Sequence, residues 1–463
     1  MPAATDTTSP QVQARERIWN GQRKERLPST GTNLLARQRL TLPRNVTTTY
    51  HLAAAYPFAV EAGLGVRGAF MGLNRLSGGG GFFFDLFEAH SQGLITAPNM
   101  FVTGAGGFGK SALVKTYMFR SSILRGPYDR GRFVFILDAK GEWTALARLL
   151  GLTVVDLHPG GPARINPLDP GPGCYSLSAE DLARKQAPVV AALLSVMLAR
   201  SLDVSENRVL GYVLERLSRG RLTPPTLFDL RAALANPSHD MAADLDTSPE
   251  ELRVRCRPML DACAMLLDHH YKGMFDGPTN VAIDWDSSAG VVLNLSAVLD
   301  QPIPLELAMI CGAGWGQALM HGRTDRLKLN VIDESYKALQ NEAMVAYLLD
   351  CWKVGRQFGS GNVLILHALS ELRAFFDDSS AAVKKTEALL NTTPVRVYLH
   401  QNHDQAADLS RFGLTTAEAT GLPGYPPHRG LWKIGDYTAL VDHFTMGVEV
   451  GFCDTNKVMR GGR

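Results

Sequence analysis

The sequence predicts an α/β fold, a mostly parallel sheet flanked by helices, with an all-helical inserted domain. Three observations predict it. Short apolar runs alternate with amphipathic helical stretches, the pattern of parallel strands joined by crossover helices. A glycine-rich loop of the kind that cradles phosphate stands between one such strand and the next helix. Residues 178–271 then carry no convincing strand, and strands resume after them.

Residues 99–103 read as a short strand and 110–121 as a helix. Residues 133–138 (Phe-Val-Phe-Ile-Leu-Asp) are almost continuously apolar, as in a strand buried on both faces. Residues 142–150 read as a helix and 153–156 as a third strand. Beyond Ser178, breakers at Gly220, Pro224-Pro225 and Pro237 separate amphipathic helical stretches. Strands return at 291–295, 329–333, 363–366 and 395–399. Upstream, glycine is dense from 63 to 81, ahead of the apolar patch 82–87. That patch reads as a strand near the phosphate loop or as a core strand fed by a turn; the glycines favour the turn. The expected division is a basic, partly disordered arm (1–55), a first core part (56–175), the helical insertion (176–275), a second core part (276–450) and a tail (451–463).

Composition excludes several classes. The chain has 463 residues, 45% hydrophobic and 20% charged, so it is globular and large enough for a sizeable core. The longest strongly apolar stretch, 187–199, falls short of the roughly 20 residues that span a bilayer. The N-terminus shows no basic-then-apolar signal pattern. Six scattered cysteines form no metal-ligand spacing, which points to a reducing compartment. The net charge of +2 gives no global argument for nucleic acid. Residues 1–45, however, hold eight Arg/Lys against three acids. Such an arm suits DNA, an acidic lipid surface or an acidic partner, and equally a solvated tail.

Gly104-Ala105-Gly106-Gly107-Phe108-Gly109-Lys110-Ser111 fits G-x-x-x-x-G-K-[ST] in full, after a predicted strand and at the start of a predicted helix. Its glycines let successive N–H groups point inward at phosphate oxygens, and the helix N-terminus, Ala112 included, adds its dipole. Lys110 is placed for the β- and γ-phosphates of ATP and Ser111 for Mg²⁺. The acidic partner is Asp333-Glu334, after the apolar run 329–332. Asp333 would hold Mg²⁺, and Glu334 would polarise the attacking water. A strand end followed by an acidic helix cap has the same pattern. Asp138 and Glu142 stand either at the ligand edge of the sheet or in a turn before a helix. Arg356 is the first candidate for an arginine acting on a neighbouring subunit's γ-phosphate, or a helix-end arginine; Arg396 is the second candidate. His367 senses the γ-phosphate or caps a strand end. His269-His270 lack partners at ligand spacing.

Taken in order, these segments resemble the large traffic ATPases of conjugation and type IV secretion systems, the TraC/VirB type of the HerA–FtsK superfamily. The segments are 104–111, Asp138-Ala139-Lys140-Gly141-Glu142-Trp143, Ile165-Asn166-Pro167-Leu168-Asp169, Met274-Phe275-Asp276-Gly277-Pro278-Thr279, Ile332-Asp333-Glu334 and Gly355-Arg356-Gln357-Phe358-Gly359. The resemblance runs from about residue 56 to about 450. It implies a P-loop NTPase (RecA-like) core working as a homohexamer with ATP and Mg²⁺ between subunits. It also implies a cytoplasmic place at the membrane's inner face, against membrane-embedded channel components, with protein or nucleoprotein cargo. Two departures stand out. The family's large N-terminal domain has no counterpart in the first 55 residues. The family's Thr-Gln pair after the sensor strand is His367-Ala368 here.

Two other functions compete. A DNA translocase or coupling-protein-like ATPase of the FtsK/HerA type would share the core; N-terminal membrane helices and a C-terminal DNA-reading module, usual in those proteins, are not seen. A nucleotide-dependent scaffold would bind ATP without turnover, and Glu334 beside Asp333 argues against it.

Overall fold

The structure is a computed structural model, and it describes residues 64–454 apart from 124–130, 172–176, 222, 269–270, 284–287, 322–325, 340 and 367–380. The hairpin β1 (Ala69–Asn74)–β2 (Gly80–Phe84) leads into α1 (Leu86–Ser91). A first alternating run follows: β3 (Asn99–Thr103), α2 (Lys110–Ile123), β4 (Phe133–Asp138), α3 (Thr144–Leu150) and β5 (Thr153–Asp156). Next come α4 (Ala179–Leu198), α5 (Val204–Ser218), α6 (Leu227–Ala235), α7 (His239–Asp244) and α8 (Pro249–Leu267), with no strand among the described residues there. The alternation resumes with β6 (Gly290–Asn294), α9 (Pro302–Met320), β7 (Lys328–Ile332), α10 (Tyr336–Leu339), α11 (Glu342–Val354), β8 (Ser360–Leu366), α12 (Ala381–Asn391) and β9 (Val395–Tyr398). It closes with α13 (His403–Asp408), α14 (Thr416–Gly421), the hairpin β10 (Arg429–Ile434)–β11 (Tyr437–His443) and α15 (Gly447–Cys453).

All the described strands join one sheet, in the order β2-β1-β11-β10-β9-β3-β8-β7-β4-β6-β5. From β9 to β5 every pairing is parallel; the β10, β11, β1 and β2 side is antiparallel. Side chains alternate across a strand, so a strand with helices on both faces must be apolar at every position. β4 shows it. Phe133, Phe135 and Leu137 enter one core, and Val134 and Ile136 enter the other. The first core is continuous from the sheet through α9 into α4–α8. Ser178 caps α4, and Asp203 with Glu206 makes a capping box on α5. α9 is buried almost all round because it lies between the sheet and α4. Glycines permit that approach. A Cβ on Gly316 would stand 2.4 Å from the Phe135 ring, and one on Gly314 would stand 2.8 Å from Val189.

A buried amide network ties three central strands to one another and to α9. Asn362 Nδ2 donates to Asn99 Oδ1 at 2.9 Å, while its Oδ1 accepts from Gln317 Nε2 at 2.9 Å and Asn330 Nδ2 at 3.2 Å. Removing this hub leaves three buried amides short of partners. Asn362→Ala is therefore expected to lower stability by about 3 kcal/mol. The check is a fall in the urea midpoint at constant m-value; an unchanged midpoint would mean the network contributes nothing.

The strand expectations hold at 99–103, 133–138 and 153–156, and to within a few residues at the other four. The structure adds strands the sequence reading lacked. β1 runs through the glycine-rich segment, and Gly78 and Gly79 take positive φ in the turn before β2. The β10–β11 hairpin was also not foreseen. The expected boundary between core and tail after residue 450 cuts through α15. Among the described residues no helix is long and apolar enough to cross a membrane.

Candidate functional site

Parallel strands end together at one edge, and the chemistry-bearing residues gather there. β3 delivers the glycine loop. Gly107 and Gly109 hold φ of +80° and +90°, the left-handed region that only glycine enters freely. Lys110, buried at the start of α2, donates through Nζ to the carbonyls of Gly104 at 2.8 Å and Ala105 at 3.1 Å. The loop is anchored to the end of β9. Ala105 N–H donates to the His400 carbonyl at 2.7 Å, and the Phe108 ring stacks on His400 with centroids 3.9 Å apart. Gln401 Nε2 donates to Thr103 Oγ1 at 3.2 Å.

One strand, β8, lies between β3 and β7. At about 4.8 Å per strand, the residue after β7 stands roughly 10 Å across the edge from the loop, room for a phosphate chain and a cation. That residue is Asp333. Its Oδ2 accepts from Trp143 Nε1 at 2.8 Å, and its Oδ1 accepts from the Glu334 N–H at 2.9 Å. Burial pushes the Asp333 carboxyl upward, the Trp143 bond opposes this, and the Glu334 charge adds to the rise. Glu334 is a non-glycine residue in the left-handed region, with φ +53°. Such geometry costs about 1–3 kcal/mol and persists only where its surroundings hold it. Ser335 supplies part of that hold, through N–H and Oγ on the Ile365 carbonyl at 3.2 and 2.9 Å. The Glu334 carboxylate pairs with the Lys140 ammonium.

Lys140 and Trp143 reach these acids because Asp138 builds the turn that carries them. Asp138 Oδ1 accepts the N–H groups of Lys140, Gly141 and Glu142 at 3.2, 2.8 and 3.2 Å; Oδ2 accepts that of Trp143 at 2.9 Å. Gly141 has φ +74°, and a Cβ there would stand 2.9 Å from the Ser296 Cβ. Burial raises the Asp138 carboxyl to about 6, against the opposing bond from Trp143. Asp138 thus stands at the ligand edge and is also the organiser of the turn. Glu142 lies 3.8 Å from the fully buried Lys115 ammonium, which also meets the Phe452 carbonyl at 3.4 Å.

A cavity of about 680 Å³ opens here, within the roughly 300–1,000 Å³ usual for small-molecule sites. Gly106, Gly107, Gly109, Lys110, Ser111 and Ala112 line one side, and Lys140 and Glu142 another. The remaining wall comes from the chain's last described segment, including Thr445, Val450 and Cys453, with His428 and His443. α15 is fixed to α2 by a buried pair, Arg120 with Glu449, at 2.6 Å through both Nε and a terminal nitrogen. Burial lowers His443 to about 3, so it is neutral and accepts from Trp432 Nε1 at 2.8 Å.

Gly106, Gly107, Gly109, Lys110, Ser111 and Ala112 therefore face one cavity. Gly104, Ala105 and Phe108 are not in its lining; the first two hold Lys110 through their carbonyls, and Phe108 stacks on His400. Arg356 is elsewhere. It sits in the 3-10 turn Gly355–Phe358 just before β8, exposed at the amino edge of the sheet, a strand's length from its own phosphate loop. Arg396 is committed to main-chain carbonyls, those of Thr393, Phe412 and Asn391 at 3.0, 2.7 and 3.2 Å. It is a structural clamp, which removes it as the second candidate for a trans-acting arginine. His367 and His269-His270 lie outside the described residues. The sequence reading missed Lys140 and Trp143 as partners of the acidic pair, and the α15 wall. "Lys-Gly-Glu-Trp" beside an acidic strand end was the one available signal for the former.

The sheet order and the loop at its carboxyl edge define a P-loop NTPase fold. Among solved structures the chain is similar to VirB4 of Thermoanaerobacter pseudethanolicus, at 19% identity and TM-score 0.67, over 84% of this chain and 99% of that one. It is also similar to the plasmid coupling protein TrwB, solved with a non-hydrolysable ATP analogue (14% identity, TM-score 0.52, 75% of this chain and 85% of that one) and with ADP and Mg²⁺ (15%, 0.51, 75% and 86%). No family model and no curated protein matches the sequence.

Proposed function

We propose that the chain is a magnesium-dependent ATPase of a conjugation or type IV secretion apparatus, whose turnover drives assembly of the channel or movement of substrate. The observation that carries the chemistry is that the Lys110 loop and the Asp333-Glu334 pair stand at one sheet edge, two strands apart, with Lys140 of the cavity lining paired to Glu334. The likeness in fold to VirB4, over nearly all of that chain, supports the biological setting.

The residues divide the work by charge and position. Lys110 leaves the Gly104 and Ala105 carbonyls for the β- and γ-phosphates, and the loop N–H groups cradle them. The Ser111 hydroxyl and the Asp333 carboxylate are hard oxygen donors that suit Mg²⁺ and would hold it. The cation neutralises phosphate charge when bound. Glu334 orients and polarises the attacking water. Arg356 cannot reach its own loop, so its role is to serve the site of an adjoining copy, in a homohexamer with shared sites. The setting is cytoplasmic, at the inner membrane face and against membrane-embedded channel components, with protein or nucleoprotein cargo.

The fold likeness to a plasmid coupling protein favours one second reading, a pump acting on DNA directly. Steady-state turnover against protein concentration, with and without single- and double-stranded DNA, separates the two. A secretion ATPase gives turnover per chain that rises with concentration and ignores DNA. A several-fold, salt-sensitive rise with DNA moves the assignment to the translocase. Mixing Lys110→Ala with Arg356→Ala chains tests the shared site. Each supplies what the other lacks, so activity returns on mixing; no return rejects the trans role of Arg356.

A further inference from the structure

Lys140 stands between a carboxylate and the cavity. Its ammonium is paired with Glu334, and its side chain also lines the cavity beside Lys110 and Ser111. Its backbone has little freedom, because Asp138 takes the N–H groups of residues 140 to 143 and Gly141 fills a space where a Cβ would collide with Ser296. The four-carbon stem, by contrast, is flexible and about a third exposed, with side-chain accessibility of 37% against 7% for Glu334. A mobile cation on a fixed base can serve either the carboxylate or an anion in the cavity. Glu334 is the less mobile partner, held in a strained backbone by its neighbours.

We propose that Lys140 is a nucleotide-sensing positioning residue, which pins the Glu334 carboxylate until a triphosphate enters and then transfers to the γ-phosphate, releasing Glu334 to the attacking water. The proposal rests on the ATPase reading of this cavity. The physical basis is competition. A γ-phosphate carries more charge than a carboxylate and draws the ammonium more strongly, whereas a diphosphate ends one phosphate short. The Glu334–Lys140 pair therefore opposes triphosphate binding and leaves diphosphate binding nearly untouched. A ligand shifts such an equilibrium only by its differential affinity for the two arrangements.

The test is a double-mutant cycle on the full chain, reading equilibrium affinities for Mg²⁺-ATP and Mg²⁺-ADP with fluorescent analogues. Glu334→Gln removes Lys140's competitor. It is expected to raise the ATP-over-ADP preference at least about threefold, a coupling of roughly 0.7 kcal/mol. In a Lys140→Met background the same change is expected to leave the preference unaltered. Lys140→Arg, which keeps the charge, is expected to restore the coupling, and thermal melts confirm that each variant is folded. An equal effect of Glu334→Gln with and without Lys140 overturns the proposal while leaving the ATPase reading intact. Absence of Lys110-dependent ATP binding in the wild type overturns both.

Discussion

Glu334→Gln is expected to keep ATP bound while turnover falls by about 10²–10⁴-fold, the range contributed by a positioned general base. The amide retains the shape of the side chain but cannot draw a proton from water. The cost falls on the chemical step because Glu334 is buried just past β7 and reaches the cavity only through its partner Lys140, outside the glycine loop. Phosphate release and nucleotide binding are measured on the same preparation. Loss of both together would show that the substitution had broken the site. An unchanged rate would remove Glu334 from catalysis and favour a scaffold.

Lys110→Ala is expected to weaken ATP binding about 100-fold, the equivalent of about 3 kcal/mol for one charge-assisted contact in a buried setting. Two effects combine. The ammonium that would meet the β- and γ-phosphates is lost. The same group also bridges the Gly104 and Ala105 carbonyls, so the loop's curl loses an internal tie. A titration of Mg²⁺-ATP against both chains reads the difference. A variant that binds like wild type would place the nucleotide elsewhere.

Much of this site was legible because its signals are local. The loop at 104–111 and the strand at 133–138 each announce themselves within a few residues, through glycine φ freedom and two-sided burial. Asp333-Glu334 was found by the same logic, as an acidic stop on an apolar strand. What stayed hidden depends on distant parts of the chain. Trp143 meets Asp333 across 190 positions, and nothing near either residue encodes that contact. β1 escaped because glycine is a poor strand former, yet Gly72 is required there; a Cβ would stand 2.0 Å from the Asp442 carbonyl oxygen. α15 escaped because a short terminal helix carries too little periodicity, although its Glu449 is fixed by Arg120, more than 300 residues upstream. Arg396 misled because a guanidinium suits an anion and a set of main-chain carbonyls equally well. The position of Arg356 relative to the loop needed the sheet itself, since only strand direction separates the carboxyl edge from the amino edge.

On the function proposed above, this cavity hydrolyses ATP. The most direct measurement is Mg²⁺-dependent phosphate release by wild type, Lys110→Ala and Glu334→Gln, purified in parallel and assayed over a range of concentrations with and without DNA. Release by the wild type alone, abolished by chelating Mg²⁺, is the predicted result. Equal release by all three chains, or none from the wild type under any of these conditions, would rule out ATP hydrolysis at this cavity.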